Sequence, residues 1–152
     1  MPCSPDWPGL LMIRLIYVST ATHEPSEQEL IDLLKQARDR NIAQDVTGML
    51  LHKGRTYLQV LEGEARDVHE IYNAICEDSR HRGIVKILEE SIPARDFPDW
   101  SMGFRDLAAC SPEELAGYSG IFSGDFDPQV LRENRSLAVD LLMDFARDAD
   151  SS

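Results

Sequence analysis

The sequence predicts an α+β fold: one main domain with two helices on one face of a mostly antiparallel sheet. Three observations carry this. Short apolar and β-branched runs of strand length recur at 13–18, 46–51, 56–61 and 84–92. Two stretches between them repeat apolar residues at helical spacing: Leu30, Leu33, Leu34 and Ala37, then Val68, Ile71, Tyr72 and Ile75. Turn chemistry at Lys53-Gly54 and a break at Gly63 separate the runs.

Residues 1–11 hold three prolines and read as a flexible leader, with Met12 a candidate alternative start. The run 13–18 (IRLIYV) is a buried strand, with Ile13, Leu15 and Tyr17 on one face and Arg14, Ile16 and Val18 on the other. Ser26 followed by Glu29 fits a capping box, and Glu27 and Glu29 suit the positive end of a helix dipole. That helix is expected to run to about Arg40. The strands at 46–51 and 56–61 form a hairpin around Lys53-Gly54. A helix is expected over 64–78, ended by 79–83 (SRHRG). A fourth strand follows at 84–92, and a short fifth one at 100–104 (WSMGF) behind Pro93 and Pro98. The order β-α-β-β-α-β with an added strand is the ferredoxin-like pattern. It spans residues 12–107.

Residues 108–152 read as a helical extension. From Ser111 onward nine acids stand against three arginines, a balance of −6. Asp127-Pro128 is a helix start, and Val130, Leu131, Leu137, Ala138, Leu141, Leu142 and Phe145 recur at helical spacing. These helices are expected on the sheet face that the first two leave open.

Composition narrows the function classes. A net charge of −12 repels nucleic-acid phosphate and anionic membrane, so neither is expected as a partner. Cys3, Cys76 and Cys110 form no CxxC spacing, which points to reduced thiols and a cytoplasmic location. The opening lacks the basic segment of a signal peptide, and no apolar run approaches the roughly 20 residues of a membrane helix.

Two amides stand out. Gln59 shares a strand face with Tyr57 and Leu61, and Asn41 lies four residues after Ala37 on the inward stripe of its helix. A buried amide is costly unless something hydrogen-bonds it, so both suggest a polar-edged guest. Tyr17, Asn41, Gln59, Trp100 and Met102 come from three strands and one helix end and can converge in a slot lined by Leu33, Ile71 and Ile75. The set lacks a nucleophile–base pair, a metal-ligand cluster or a phosphate-cradling glycine loop. It suits a flat, hydrogen-bonding ring better than acid–base turnover. Taken singly, each residue has a plainer reading. Tyr17, Trp100 and Met102 are core packing, Gln59 is an exposed strand residue, and Asn41 is a left-handed helix end. Arg40, Arg80 and His81 are then solvated, and Asp78 is a turn acid.

Their joint order and spacing carry more weight. RLIYVS at 14–19, RN-x5-TG-x-LL from Arg40 to Leu51, QVLEG at 59–63, D-x-R-H at 78–81 and FPDWSMGF at 97–104 together resemble the BLUF family, blue-light sensors that use flavin. The resemblance covers about residues 12–107 and is closest in kind to short, stand-alone members. It implies FAD as cofactor, with FMN an alternative, and no turnover of the chain's own. It implies Tyr17 as the light-driven electron and proton donor, and Gln59 as the amide that rearranges beside it. Asn41 would hold the ring's carbonyl edge, Arg40 would lie against the ring, and Leu33 and Ile75 would sandwich it. Asp78, Arg80 and His81 would lie near the ribityl and phosphate end, and Trp100 and Met102 would relay the signal. A downstream partner protein and a homo-oligomer are expected. The competing reading is a small-ligand or acylphosphatase-type protein on the same scaffold without flavin. Against a hydrolase, no glycine-rich anion loop precedes the first helix.

Overall fold

The computed structural model describes residues 12–78, 81–97, 103–106, 122–123, 125–126 and 128–146. The chain enters as β1 (Met12–Ala21) and crosses into α1 (Glu27–Ala43). It then forms the hairpin β2 (Thr47–Lys53) and β3 (Thr56–Glu64), continues through α2 (Ala65–Cys76) into β4 (His81–Ser91), and reaches β5 (Gly103–Asp106). The sheet order is β4-β1-β3-β2-β5. The first four strands pair antiparallel, and β5 lies parallel to β2. Strand β3 is inserted between β1 and β2, so each helical crossover spans an intervening strand, the split arrangement of a ferredoxin-like fold. A small ribbon, β6 (Phe122–Ser123) with β7 (Asp125–Phe126), precedes α3 (Pro128–Glu133) and α4 (Arg135–Ala146).

Strand alternation divides the core into two layers. Ile13, Leu15, Tyr17, Leu50, Tyr57 and Leu61 face α1 and α2, where Leu34, Ala37, Val68, Ile71 and Ile75 meet them. Ile16, Val18, Met49, Leu51, Leu58 and Val60 face the other way, and Leu131, Ala138, Leu141 and Leu142 of the C-terminal helices cover them. The extension therefore packs on the open sheet face, as its apolar stripe predicts.

Several boundaries differ from the sequence reading. The capping box at Ser26 is present: Ser26 Oγ accepts from the Glu29 amide at 3.2 Å, and the Glu29 carboxylate accepts from the Ser26 amide at 2.9 Å. The Ser26 amide and then His23 hold Glu29 below the usual carboxylate range. At the other end α1 runs past Arg40 to Ala43. The Val46 amide donates to Asn41 O at 2.9 Å, and the Asp45 amide to Ile42 O at 3.3 Å. This is a Schellman closure with Asp45, at φ 55, as its left-handed residue. Asn41 therefore sits inside the last helical turns and does not end the helix.

Helix α2 stops at Cys76, short of the expected 78, and β4 starts at His81, ahead of the expected 84. The loop expected at 79–83 is partly taken up by the β1–β4 ladder, where Ala21 faces His81 and Thr20 faces Arg82. Between Val18/Val85 and Thr20/Arg82 the longer span falls on β4, and Gly83 at φ 58 supplies the bulge. The fifth strand is described over Gly103–Asp106 and so extends beyond the expected end at 104, while 100–102 lie outside the described residues.

The back-face packing of α4 has a measurable weight. Leu141→Ala, at a fully buried position, is expected to cost about 2–5 kcal/mol, while Ile42→Ala, 67% exposed, stays within about 0.5 kcal/mol. Urea unfolding of both variants checks this; equal, small losses would show that the C-terminal helices contribute little to the core.

Candidate functional site

Tyr17 and Gln59 are direct cross-strand neighbours in the β1–β3 register and point to the helix-covered face. The Tyr17 hydroxyl donates to Gln59 Oε1. Tyr17 is fully buried and Gln59 nearly so, so the bond is formed where water cannot compete for either partner. Leu50 faces Gln59 from β2. Above this pair, α1 and α2 leave a narrow cleft with about 20 Å³ of free interior volume. Tyr17, Leu50 and Gln59 from the sheet line it, with Leu33, Gln36, Ala37 and Arg40 from α1 and Ile75 and Asp78 from α2 and its exit.

Leu33, Arg40, Ile75 and Asp78 come together with Tyr17 and Gln59 in this lining. Ile71 does not line the cleft; it is packed in the layer below, because the inward stripe of α2 is wider than the cleft. Asn41 is fully buried beside Arg40 without being a lining residue. Its Oδ1 atom and Arg40 Nε are buried and make no hydrogen bond among the described residues, although both side chains have other interactions. His81 opens β4 opposite Ala21. The His81 side chain, Arg80, Trp100 and Met102 lie outside the described residues. Gln36 and Leu50 escaped the sequence reading. Gln36 lies three residues after Leu33 and four before Arg40, and that helical spacing was the available signal.

The phenols are held neutral. Burial pushes Tyr17 well above the usual tyrosine range; nearby Arg40 opposes the shift without reversing it. Tyr72 meets Tyr17 edge-on, with ring centroids 5.3 Å apart, and is pushed up to about 12, first by burial and then by Cys76. Lys86 Nζ lies 5.7 Å from the Tyr72 ring centre.

The cleft has apolar walls and carries a phenol, two amides, a guanidinium and a carboxylate. Such a donor set fits a flavin ring, whose faces are apolar and whose edge carries both donors and acceptors. An amide offers both roles and can exchange them without creating charge. Among the described residues no His, Cys, Asp and Glu cluster is arranged to hold a metal ion, and no helix is long and apolar enough to cross a membrane.

Two measurements on the flavin-free protein check this geometry. Tyr17→Phe leaves the Gln59 carbonyl buried without its phenol donor and is expected to cost about 1–3 kcal/mol, much of it recovered in Tyr17→Phe/Gln59→Leu; additive losses would deny the bond. The tyrosine pKa values lie above the unfolded value of about 10, so their stabilisation is complete below about pH 10 and is lost as pH rises through about 12 for Tyr72. Urea midpoints should therefore fall between about pH 9 and about pH 11, and fall less in Tyr72→Phe.

Comparisons with known proteins agree with the geometry. The family model for sensors of blue-light using FAD, BLUF, matches residues 12–103. The blue light- and temperature-regulated antirepressor BluF of Escherichia coli K12 is 38% identical over 97 residues, which are 64% of this chain and 24% of that protein. The photoactivated adenylate cyclase subunit beta of Euglena gracilis is 33% identical over 108 residues, 70% of this chain and 12% of that protein. The chain thus spans a quarter or less of these two curated relatives. Among solved structures, the photo-activated state of BlsA superposes with a TM-score of 0.76 at 26% identity, covering 93% of this chain and 98% of that one. The dark-state structure of the BLUF protein BlrB gives 0.64 at 30% identity, covering 86% and 98%. With its motifs in matching order, its family model matched over residues 12–103 and its fold shared with solved BLUF structures, the chain belongs to the BLUF family, the sensors of blue light that use FAD.

Proposed function

We propose that this chain is a flavin-binding photoreceptor module that performs no turnover of its own and reports its light state to a partner protein. One observation carries the reading: the buried hydrogen bond from Tyr17 to Gln59 at the floor of the cleft between α1 and α2. When bound, a flavin would supply the absorption of blue light and the site that takes up and returns both an electron and a proton.

In this reading Leu33 and Ile75 hold the two ring faces, Asn41 holds the carbonyl edge, and Arg40 lies against the ring. Asp78, Arg80 and His81 sit towards the ribityl and phosphate end, where FAD is the expected form. Tyr17 gives up an electron together with its hydroxyl proton and then recovers both. Its raised pKa favours this coupled departure, since a phenolate is costly in so dry a site. During the excursion Gln59 loses the donor that had fixed its amide, and it re-forms its bonds rotated or tautomerised. The outcome is a changed donor–acceptor pattern with no net charge in the interior. Trp100 and Met102, in the segment leading to β5, carry the change outward, and methionine's unbranched side chain repacks readily. Exposed Cys76 is a free thiol, consistent with the cytoplasmic location we assign.

Protein reconstituted with FAD should be yellow, and blue light should shift its flavin bands reversibly to the red. Gln59→Leu and Tyr17→Phe should each keep flavin and lose that shift, as read by absorbance before and after illumination. A yellow protein with a static spectrum would sink the reading.

A further inference from the structure

The sheet face opposite the cleft, otherwise packed mainly with apolar side chains, carries a buried ion pair. Arg14 stands directly between Glu62 on β3 and Glu90 on β4 in the strand registers. Glu62 is fully buried and Arg14 nearly so. Arg14 Nε donates to Glu62 Oε2 at 3.0 Å, Nη1 donates to Glu90 at 2.9 Å, and Nη2 donates to Asp96. The other Glu62 oxygen, Oε1, accepts the backbone amides of Asp96 at 2.9 Å and Phe97 at 2.8 Å. One carboxylate thus receives three donors, a role for which an acceptor-only group is suited.

Residues 92–97 form a strap. The Ile92 amide bonds Met12 O at 3.0 Å on β1, and Asp96 and Phe97 are tied to β3 through Glu62. Arg95 reaches Thr47 Oγ1 on β2 at 3.1 Å and Asp45 O at 2.7 Å. Phe97 then plugs the back-face core. The strap leaves edge strand β4, is fastened to β1, β2 and β3, and precedes β5 on the far edge. Glu62 lies three residues beyond Gln59 on the same strand, and Arg14 three before Tyr17. The pair at the cleft and the pair under the strap are thus built on the same two strands, on opposite faces and about 10 Å apart along them.

We propose that Glu62 is a positioning residue for signal output: its carboxylate rivets the 92–97 strap to the strand carrying Gln59. A hydrogen-bond change at Gln59 then moves β5 instead of being lost in slippage of the strap. This rests on the photoreceptor reading above. Arg14 is the counter-ion that makes the buried carboxylate tolerable, and Glu90 and Asp96 complete its fork.

Glu62→Gln tests this with little change of shape, since an amide cannot accept on both sides. The full chain with FAD bound is followed by absorbance and by residue-level amide hydrogen exchange, in the dark and under blue light. In E62Q the flavin red shift should persist, the Asp96 and Phe97 amides should exchange roughly ten-fold faster in the dark, and the light-minus-dark difference at Gly103–Asp106 should fall by about half or more. Arg95→Gln, which cuts the strap's outer fastening, should act in the same direction and serves if E62Q does not fold. Loosened strap amides with a wild-type light response at β5 would overturn the proposal, as would unchanged strap exchange or loss of the flavin shift itself. A wild-type protein that takes up FAD but shows no shift defeats the photoreceptor reading and the output role together. The dark exchange of Asp96 and Phe97 would still report the rivet.

Discussion

A phenol and a carboxamide buried side by side must satisfy one another, and the rest of this molecule is arranged around that constraint. Tyr17 and Gln59 sit on the two innermost antiparallel strands, opposite one another, under two helices. Neither can turn to solvent. The site above them is lined by further polar side chains, Gln36 and Arg40 from α1 and Asp78 beyond α2. Helix α1 brings Gln36, Arg40 and Asn41 to that side of the sheet.

This architecture needs a sheet buried on both faces. The middles of β1, β2 and β3 are accordingly rich in apolar residues, and two sets of polar side chains face one another across strands: Tyr17 with Gln59 on one side, Arg14 with Glu62 and Glu90 on the other. Each set joins strands that are neighbours in space but remote in sequence. A side chain that rearranges on one face does so on the same backbone that anchors the other, which gives the sheet a mechanical part in the molecule as well as a structural one.

Much of this was legible in the residues. Strand alternation separated Ile13, Leu15 and Tyr17 from Arg14, Ile16 and Val18, and helical spacing turned Leu33 and Ile75 towards the cleft. The apolar stripe of the last helix pointed to the uncovered face. What escaped depended on contacts that no local pattern encodes. Asn41 resembled a helix terminus because asparagine is common there; an aspartate in left-handed conformation closes the helix instead, held by Arg95 from fifty residues away. The early start of β4 follows from bulges, which let a glycine-containing loop join a ladder. Glu62 reads in sequence as one acid before a glycine, and only the crossing of residues 92–97 reveals its three donors.

The bulges in β4 carry a consequence of their own. Eleven residues long, β4 is an edge of the sheet and would otherwise offer a row of open backbone groups to any extended peptide. Its two register shifts, at Ile16/Tyr17 and Val18/Thr20, break that row, and charged Lys86, Glu89 and Glu90 stand along it. Strand addition is disfavoured there, as is fibril-like stacking of one molecule on another. A protein that reads this molecule's state at that edge must recognise it by side chains and shape, a mode of contact that can be released as readily as it is made.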